Sequence, residues 1–283
     1  MAKVAVVTDS TAYLEPGIAE ELEISVVPLE VRIDGTVFRD GIDLTPDAFF
    51  RRMEQDSPTV QVLPPSVQQF QQVYAQLHTR TDQILSIHIS SELNPTLVNA
   101  QRGAEGLLGR CDIAVIDSLT TSLGLGVLAV AAAKAAREGA QLDDIVRLVR
   151  GMIPHVYVVF YTTDLQALER SRHLSSAQTM LGSLLNIKPI LFMEDGRIMA
   201  LEKVRTHERA VDKLVEFMAE FARVEQAAIV QRRAAPTAET RLLLDRLQSL
   251  FSEVDFPILQ YGPALAVHIG LSAMGIVVYE GME

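Results

Sequence analysis

Apolar and polar positions change period repeatedly along the chain, and those changes mark its elements. Residues 3–7 form a short β-branched run that stops at Thr8-Asp9-Ser10-Thr11, a cluster of turn and helix-capping residues. A helical pattern follows over 15–22 and an extended one over 24–33, after which Asp34-Gly35 signals a hairpin with 36–38 as its return strand. Thr45 has the chemistry of an N-cap and Pro46 that of a first helical residue, so a helix is predicted from there to Met53. The Pro-containing stretch 57–66 reads as a loop and 67–77 as a helix.

Short buried strands are predicted at 84–89, 112–116 and 156–161, with helical stretches at 96–108, 124–137 and 142–150 between them. Strands alternating with helices imply parallel pairing through right-handed crossovers. From residue 162 the order changes. Helices at 165–174 and 177–185 precede a hairpin, 189–193 and 198–204 around Glu194-Asp195-Gly196-Arg197. A long helix at 208–224, a strand at 227–231, a helix at 238–252 and strands at 258–261, 264–269 and 276–279 complete the pattern. The fold expected is two-domain α/β: an N-terminal parallel-sheet α/β domain over 1–161 and a C-terminal α+β domain over 162–283.

Composition narrows the function classes. The 283 residues are 48% hydrophobic and 22% charged, which excludes general disorder. There is no Trp and aromatics are only 6%, so the core is aliphatic, helped by nine Met. Lys+Arg 25 against Asp+Glu 36 gives 25 − 36 = −11, the wrong sign for nucleic acid or an anionic membrane surface as main partner. The one cysteine, Cys111, excludes an intrachain disulfide and multi-Cys zinc clusters, and points to the cytoplasm. The first residues enter a strand pattern with no signal-peptide layout, and the longest apolar stretch, 123–133, is shorter than the roughly 18 residues of a membrane span. A cytoplasmic protein with no integral membrane segment is expected.

Self-contained catalytic chemistry is hard to find. Gly124-Leu125-Gly126-Val127-Leu128-Ala129 fits G-x-G-x-x-A but follows its strand only after residues 118–123, so close helix packing is the better reading. No Gly precedes a Lys-Ser or Lys-Thr pair as a P-loop requires, and Gly270 to Gly275 has the wrong spacing for a nucleophile elbow. The six histidines contain no H-x-x-x-H pair, and no metal site is expected. What remains is a set of polar strand ends: Asp9-Ser10-Thr11, Ser90-Ser91 and Asp117-Ser118. In a parallel sheet these share one edge, where ligands bind, although Ser and Thr there also cap the following helices. His268 stands alone in an apolar run read as a strand, followed by Gly270, and Lys203-Val204-Arg205 puts two cations on one strand face.

Taken together these segments resemble the DegV family, bacterial proteins that hold a fatty acid in a buried tunnel. The matching stretches are Thr8-Asp9-Ser10-Thr11, Phe38-Arg39-Asp40-Gly41 with Asp43-Leu44-Thr45, Ile89-Ser90-Ser91, Asp117-Ser118 with Ser122-Leu123-Gly124-Leu125-Gly126, residues 181–189, Lys203-Val204-Arg205, and Gly262-Pro263 with His268 and Gly270. The family's T-S-Q-P-S loop reads here Val62-Leu63-Pro64-Pro65-Ser66, and its L-S-G-T-Y reads Leu93-Asn94-Pro95-Thr96-Leu97. Its G-G-R-I becomes Ser171-Arg172-His173-Leu174, with Arg172 or Arg170 to supply the cation, and its H-x-G-P-G becomes His268-Ile269-Gly270-Leu271-Ser272.

The resemblance implies a non-catalytic subunit with no cofactor. It would bind a long-chain fatty acid as ligand and present the carboxylate to the catalytic subunit of a separate fatty acid kinase, which forms an acyl phosphate. It implies head-group contacts at Ser90, Ser91, Asn94, His268, Ser10 and Thr11, with Lys203 and Arg205 meeting the kinase or the phosphorylated product. Two rivals stay open: a stand-alone enzyme acting on a small phosphorylated or nucleotide ligand, and a regulatory protein that has lost its ligand.

Overall fold

The apolar run at the start of the chain becomes strand β1 (Ala5–Asp9), nearly all of it buried because it is flanked on both sides. The structure, a computed structural model, describes residues 4–56, 58–170 and 187–282. β1 lies between β2 (Ser25–Val27) and β6 (Gln83–His88), with β7 (Asp112–Asp117) beyond β6, and every pairing in this sheet is parallel. Helices α3 (Val67–His78) and α4 (Thr96–Ala104) bring Phe70, Tyr74 and Ala100 onto Val7, Val27 and Ile84. Helix α5 (Leu123–Arg137) packs against β1 and β6, and α6 (Leu142–Met152) against β6. A Cβ on Gly126 would lie 2.7 Å from the carbonyl oxygen of Ala12. Close approach of helix to chain is therefore what this glycine provides.

A small antiparallel sheet stands beside these elements in sequence: β3 (Glu30–Ile33) pairs with β4 (Thr36–Arg39) and with β5 (Val60–Leu63). Asp34 and Gly35 take the turn between them with φ of 46° and 86°, as the Asp-Gly signal predicts. Two details differ from the pattern reading. The single extended segment at 24–33 is two strands in different sheets, divided at Pro28-Leu29, because proline has no N–H to continue the ladder. The stretch 57–66 contains β5, which its flanking prolines had disguised as loop.

The other sheet runs in the order β10-β9-β8-β13-β11-β12. Its strands are β8 (Val156–Tyr161), β9 (Lys188–Glu194), β10 (Arg197–Val204), β11 (Gln226–Gln231), β12 (Ile258–Gln260) and β13 (Met274–Tyr279). β8 was expected to extend the parallel series; it is antiparallel to both β9 and β13 and belongs here. A short, wholly apolar run identifies a buried strand but carries no information on its partners' direction. Helices α8 (His207–Met218) and α9 (Ala238–Leu250) supply Ala210, Val211, Leu214, Leu243 and Leu247 to a core with Val159, Ile229 and Ile276.

Two units divide the chain, 1–44 with 59–154 and 45–58 with 155–283. Helix α2 (Pro46–Asp56) thus belongs with the second: Phe50 meets Tyr261 edge-on at 5.2 Å, and Gln260 donates to Asp47 at 2.7 Å. Short helices α1 (Ile18–Glu21), α7 (Leu165–Arg170) and α10 (Pro263–Ile269) complete the described elements. α1 is shorter than the predicted 15–22 because Pro16-Gly17 precedes it, with Gly17 at φ 89°. The fold is mixed α/β, with a parallel sheet in the N-terminal unit and a mixed sheet in the C-terminal one, as the pattern predicts. The helix predicted at 177–185 lies outside the described residues.

Candidate functional site

Parallel pairing puts the carboxyl ends of β1, β6 and β7 on one edge of the first unit. Backbone hydrogen bonds join the turns that follow them: Ser118 N–H to His88 O at 3.0 Å, Ser90 N–H to Thr120 O at 2.9 Å, and Ser122 N–H to Thr11 O at 2.9 Å.

Beneath these turns runs a chain of buried polar groups. Asp9 accepts from Thr11 N–H at 3.0 Å, from the Thr11 hydroxyl at 2.6 Å, from Ile89 N–H at 2.9 Å and from His88 Nδ1 at 3.0 Å. His88 Nε2 lies 2.7 Å from Ser86 Oγ, which accepts the Tyr74 hydroxyl at 2.8 Å. With Tyr74 donating, the Ser86 hydrogen turns to Nε2 and leaves Nδ1–H for Asp9. Ser-His-Asp is the connectivity of a nucleophilic triad, but all three are 0% exposed and Ser86 already serves Tyr74. The chain is framework, not catalyst.

Ser10 is tied down as well. Its hydroxyl donates to Asp40 Oδ2 at 2.8 Å and accepts Leu29 N–H at 3.1 Å. Burial, chiefly, pushes the Asp40 carboxyl up to about 6. Neither Asp40 nor the Asp9–His88 link stood out in the sequence as more than part of a turn motif.

The other predicted residues divide by whether a donor remains. Ser91 is exposed and donates its hydroxyl to Asp117 at 2.5 Å. Ser90 is buried and accepts Glu92 N–H at 3.2 Å. Asn94, also buried, accepts the Thr96 hydroxyl on Oδ1 at 2.7 Å, which orients the amide and leaves Nδ2 without a partner among the described residues. The hydroxyls of Thr121 and Ser122 are buried and likewise unpartnered among the described residues. Ser122 is the N-cap of α5 at φ 57°, yet its side chain caps nothing. Buried polar groups are almost always satisfied, so a cluster of unsatisfied ones at a sheet edge is what a ligand site looks like when read from the protein side. Thr120-Thr121-Ser122 ahead of an apolar helix reads in sequence as an ordinary cap and hid this. Val62, where the family has Thr, lies in β5 opposite Val31.

In the second unit His268 is in the last turn of α10, not in a strand. Gly262 and Pro263 start this helix and Gly270, at φ 83°, ends it, so the start and stop signals outweighed the apolar run. His268 is buried. The chain after it is clamped: Thr162 donates to Ile269 O at 2.8 Å, Tyr261 to Gly270 O at 3.0 Å, and Leu271 N–H reaches Asp164 at 3.3 Å. A Cβ on Gly270 would come within 2.3 Å of Asp164, which is the close approach its sequence context suggested. Lys203 and Arg205 are both exposed at the end of β10, where Lys188 Nζ donates to Arg205 O at 3.3 Å. The side chain of Arg170, and Arg172 with the rest of Ser171-Arg172-His173-Leu174 and most of the 181–189 motif, lie outside the described residues. Among the described residues no group of three or more His, Cys, Asp or Glu is arranged to hold a metal ion, and no helix is long and apolar enough to cross a membrane.

Comparison with known proteins matches this geometry over its whole length. The sequence model described as an uncharacterised protein of the DegV family covers residues 3–281. A DegV domain-containing protein of Listeria monocytogenes is 33% identical over 278 residues, 97% of each chain. The solved structure of DegV, a fatty acid binding protein from Bacillus subtilis, superposes with a TM-score of 0.87 at 29% identity, covering 99% of this chain and 100% of that one. A fatty acid binding DegV family protein from Streptococcus agalactiae gives 0.90 at 27% identity over 100% of both. Matched by the family model over residues 3–281 and by a relative at 33% identity over 97% of its length, the chain belongs to the DegV family.

Proposed function

We propose that this protein binds a long-chain fatty acid, with the carboxylate received at the first unit's sheet edge, and presents that carboxylate to a separate kinase subunit for acyl-phosphate formation. The observation that carries the reading is the full-length likeness, at 27–29% identity, to DegV proteins described as binding fatty acids. Physical chemistry supports it. Burying an acyl chain contributes about 0.8 kcal/mol per methylene, on the order of 10 kcal/mol gross for a long chain. A carboxylate at its end must be hydrogen-bonded, because an unpaired buried charge is costly.

Donor availability ranks the candidates. Ser10, Thr11 and Ser91 already give their hydrogens to Asp40, Asp9 and Asp117, so they hold the edge in shape. Asn94 keeps an amide donor, and Thr121 and Ser122 keep hydroxyls; these join Ser90 as the first-unit head-group set. His268 is the second unit's candidate. Lys203 and Arg205, exposed cations in a chain of net charge −11, suit contact with a kinase or with the phosphorylated product. The nucleotide would belong to the partner, in keeping with the missing P-loop motif.

Native mass spectrometry of the purified chain tests the reading. A co-purifying mass equal to a long-chain fatty acid is expected. Protein that is lipid-free and takes up neither added oleate nor palmitate would refute it.

A further inference from the structure

A small concave site, with charged side chains on one wall and Leu271, Ala273 and Met274 on the other, lies wholly within the second unit. It has a volume of about 200 Å³ and sits where β8 and β11 end and β13 begins, bounded by Tyr161, His207, Arg232, Arg233, Thr237 and Glu239. Such a volume suits a single small anion and is far too small for an acyl chain. Two helices of ordinary length start at it. His207 is the first residue of α8, and Thr237 caps α9 in a reciprocal box with Thr240. Both starts are capped, by Thr206 and Thr237, and what they bring to the cavity is the positive end of the helix macrodipole.

The loop from Arg232 to Thr237 is built rather than slack. Gln231 Nε2 donates to the carbonyls of Arg233 at 2.5 Å and Ala235 at 2.9 Å, while its Oε1 accepts the Thr240 hydroxyl. Gln260 Nε2 donates to Arg232 O at 3.1 Å. Three loop carbonyls are thereby neutralised by amide donors, which removes the groups that would repel an anion.

The two arginines are used differently. Arg232 pairs with Glu54 and lies 5.4 Å above the Phe50 ring. Arg233 is exposed, and its guanidinium has no hydrogen-bond or ion-pair partner among the described residues. Glu239 is the acid bounding the cavity, and its own backbone N–H and the Thr237 hydroxyl hold its carboxyl below the usual carboxylate range. The wall already stabilises one negative charge.

We propose that this cavity binds a phosphate group, either inorganic phosphate or the phosphate of a small phosphomonoester, with Arg233 and Arg232 as charged donors and the positive end of the α9 macrodipole adding to their field. Forked guanidinium donors match tetrahedral oxyanions better than any lysine would. The inference stands apart from lipid binding and survives its failure.

The test is a ³¹P NMR titration of the full chain with inorganic phosphate, run beside glycerol 3-phosphate. A saturable shift or broadening of the phosphate line is expected. Arg233→Ala should weaken the apparent Kd about tenfold or more, the effect of one lost charge-assisted contact. Glu239→Gln should tighten it by removing the competing carboxylate. Circular dichroism of both variants confirms that they fold. If glycerol 3-phosphate competes and shows the same Arg233 dependence, the site takes phosphomonoesters; if it does not compete, the site takes inorganic phosphate. No saturable signal in the parent chain, or a Kd unmoved by both substitutions, overturns the proposal.

Discussion

The two polar edges of this protein are built on opposite electrostatic plans. At the carboxyl edge of the parallel sheet the charges are acids placed inside: Asp9 and Asp40 are buried and Asp117 half-buried. They take the hydrogens of Thr11, Ser10 and Ser91, and the hydroxyls that look most like ligand contacts in sequence become framework. At the ends of β8 and β11 the prominent charges are cations, and one of them, Arg233, has no partner among the described residues. The lesson is that residue type at a strand end does not separate structure from function. What separates them is whether the group's hydrogen-bonding capacity is already used within the fold.

Removing an acid from the first edge should therefore have the largest effect on stability. Asp9→Ala would leave the N–H groups of Thr11 and Ile89 and the Nδ1–H of His88 without an acceptor, all in a region closed to water. Breaking such a buried hydrogen-bonded pair costs about 3–5 kcal/mol. For a chain of this size that corresponds to a fall in Tm of about 6–20 °C in differential scanning calorimetry. A fall below about 3 °C would mean that the network is incidental to the fold and that the contrast between the edges is overdrawn.

Asp40 sharpens the comparison through pH. Its folded pKa, about 6, lies above the ordinary 3.8, so between these values the folded chain holds a proton that the unfolded chain has lost. The associated stability is fully present below about pH 4 and disappears as the pH rises through about 6. A shift of this size corresponds to about 2–3 kcal/mol. Asp40→Asn keeps an acceptor for Ser10 without the charge, so it should remove that slope and leave the variant more stable than the parent at pH 7. Urea midpoints at pH 4, 5, 6 and 7 decide it; parallel curves for the two proteins would sink the assignment.

Local chemistry made a large part of this fold legible. Asp34-Gly35 and Asp195-Gly196 mark their hairpins because both positions need positive φ, and Thr45-Pro46 starts α2 where predicted. Partnership across distance was not legible. Asp9 and His88 are 79 positions apart, and Asp47 meets Gln260 across 213, so no window of sequence contains either pair. The same limit explains β8, whose apolar pattern fits a strand in either sheet, and His268, whose run of apolar neighbours suits a strand or a buried helix equally. For the candidate site, residue identity picked out polar strand ends that the structure does bring together on one sheet edge. It could not show that Asn94, Thr121 and Ser122 keep their donors while Ser10, Thr11 and Ser91 do not, because that depends on where Asp40, Asp9 and Asp117 finish.

The smallest expected effect tests the second edge against the first. Arg232 and Arg233 are adjacent and chemically identical, but only Arg232 has contacts to lose: the Glu54 ion pair and the Phe50 ring. Its partner acid is half-exposed, so screening keeps that pair weak, and a cation over an aromatic face adds about 0.5–1 kcal/mol. Arg232→Ala should therefore destabilise the second unit by about 1 kcal/mol, read as a small fall in urea midpoint at constant slope. Arg233→Ala should change it by less than about 0.5 kcal/mol in either direction, since nothing in the described fold uses the guanidinium. A cation that contributes nothing to stability yet sits on a preorganised concave wall is the inverse of Asp9, whose charge is wholly committed to the fold. Equal losses from the two arginines would erase that distinction and make Arg233 one more structural charge.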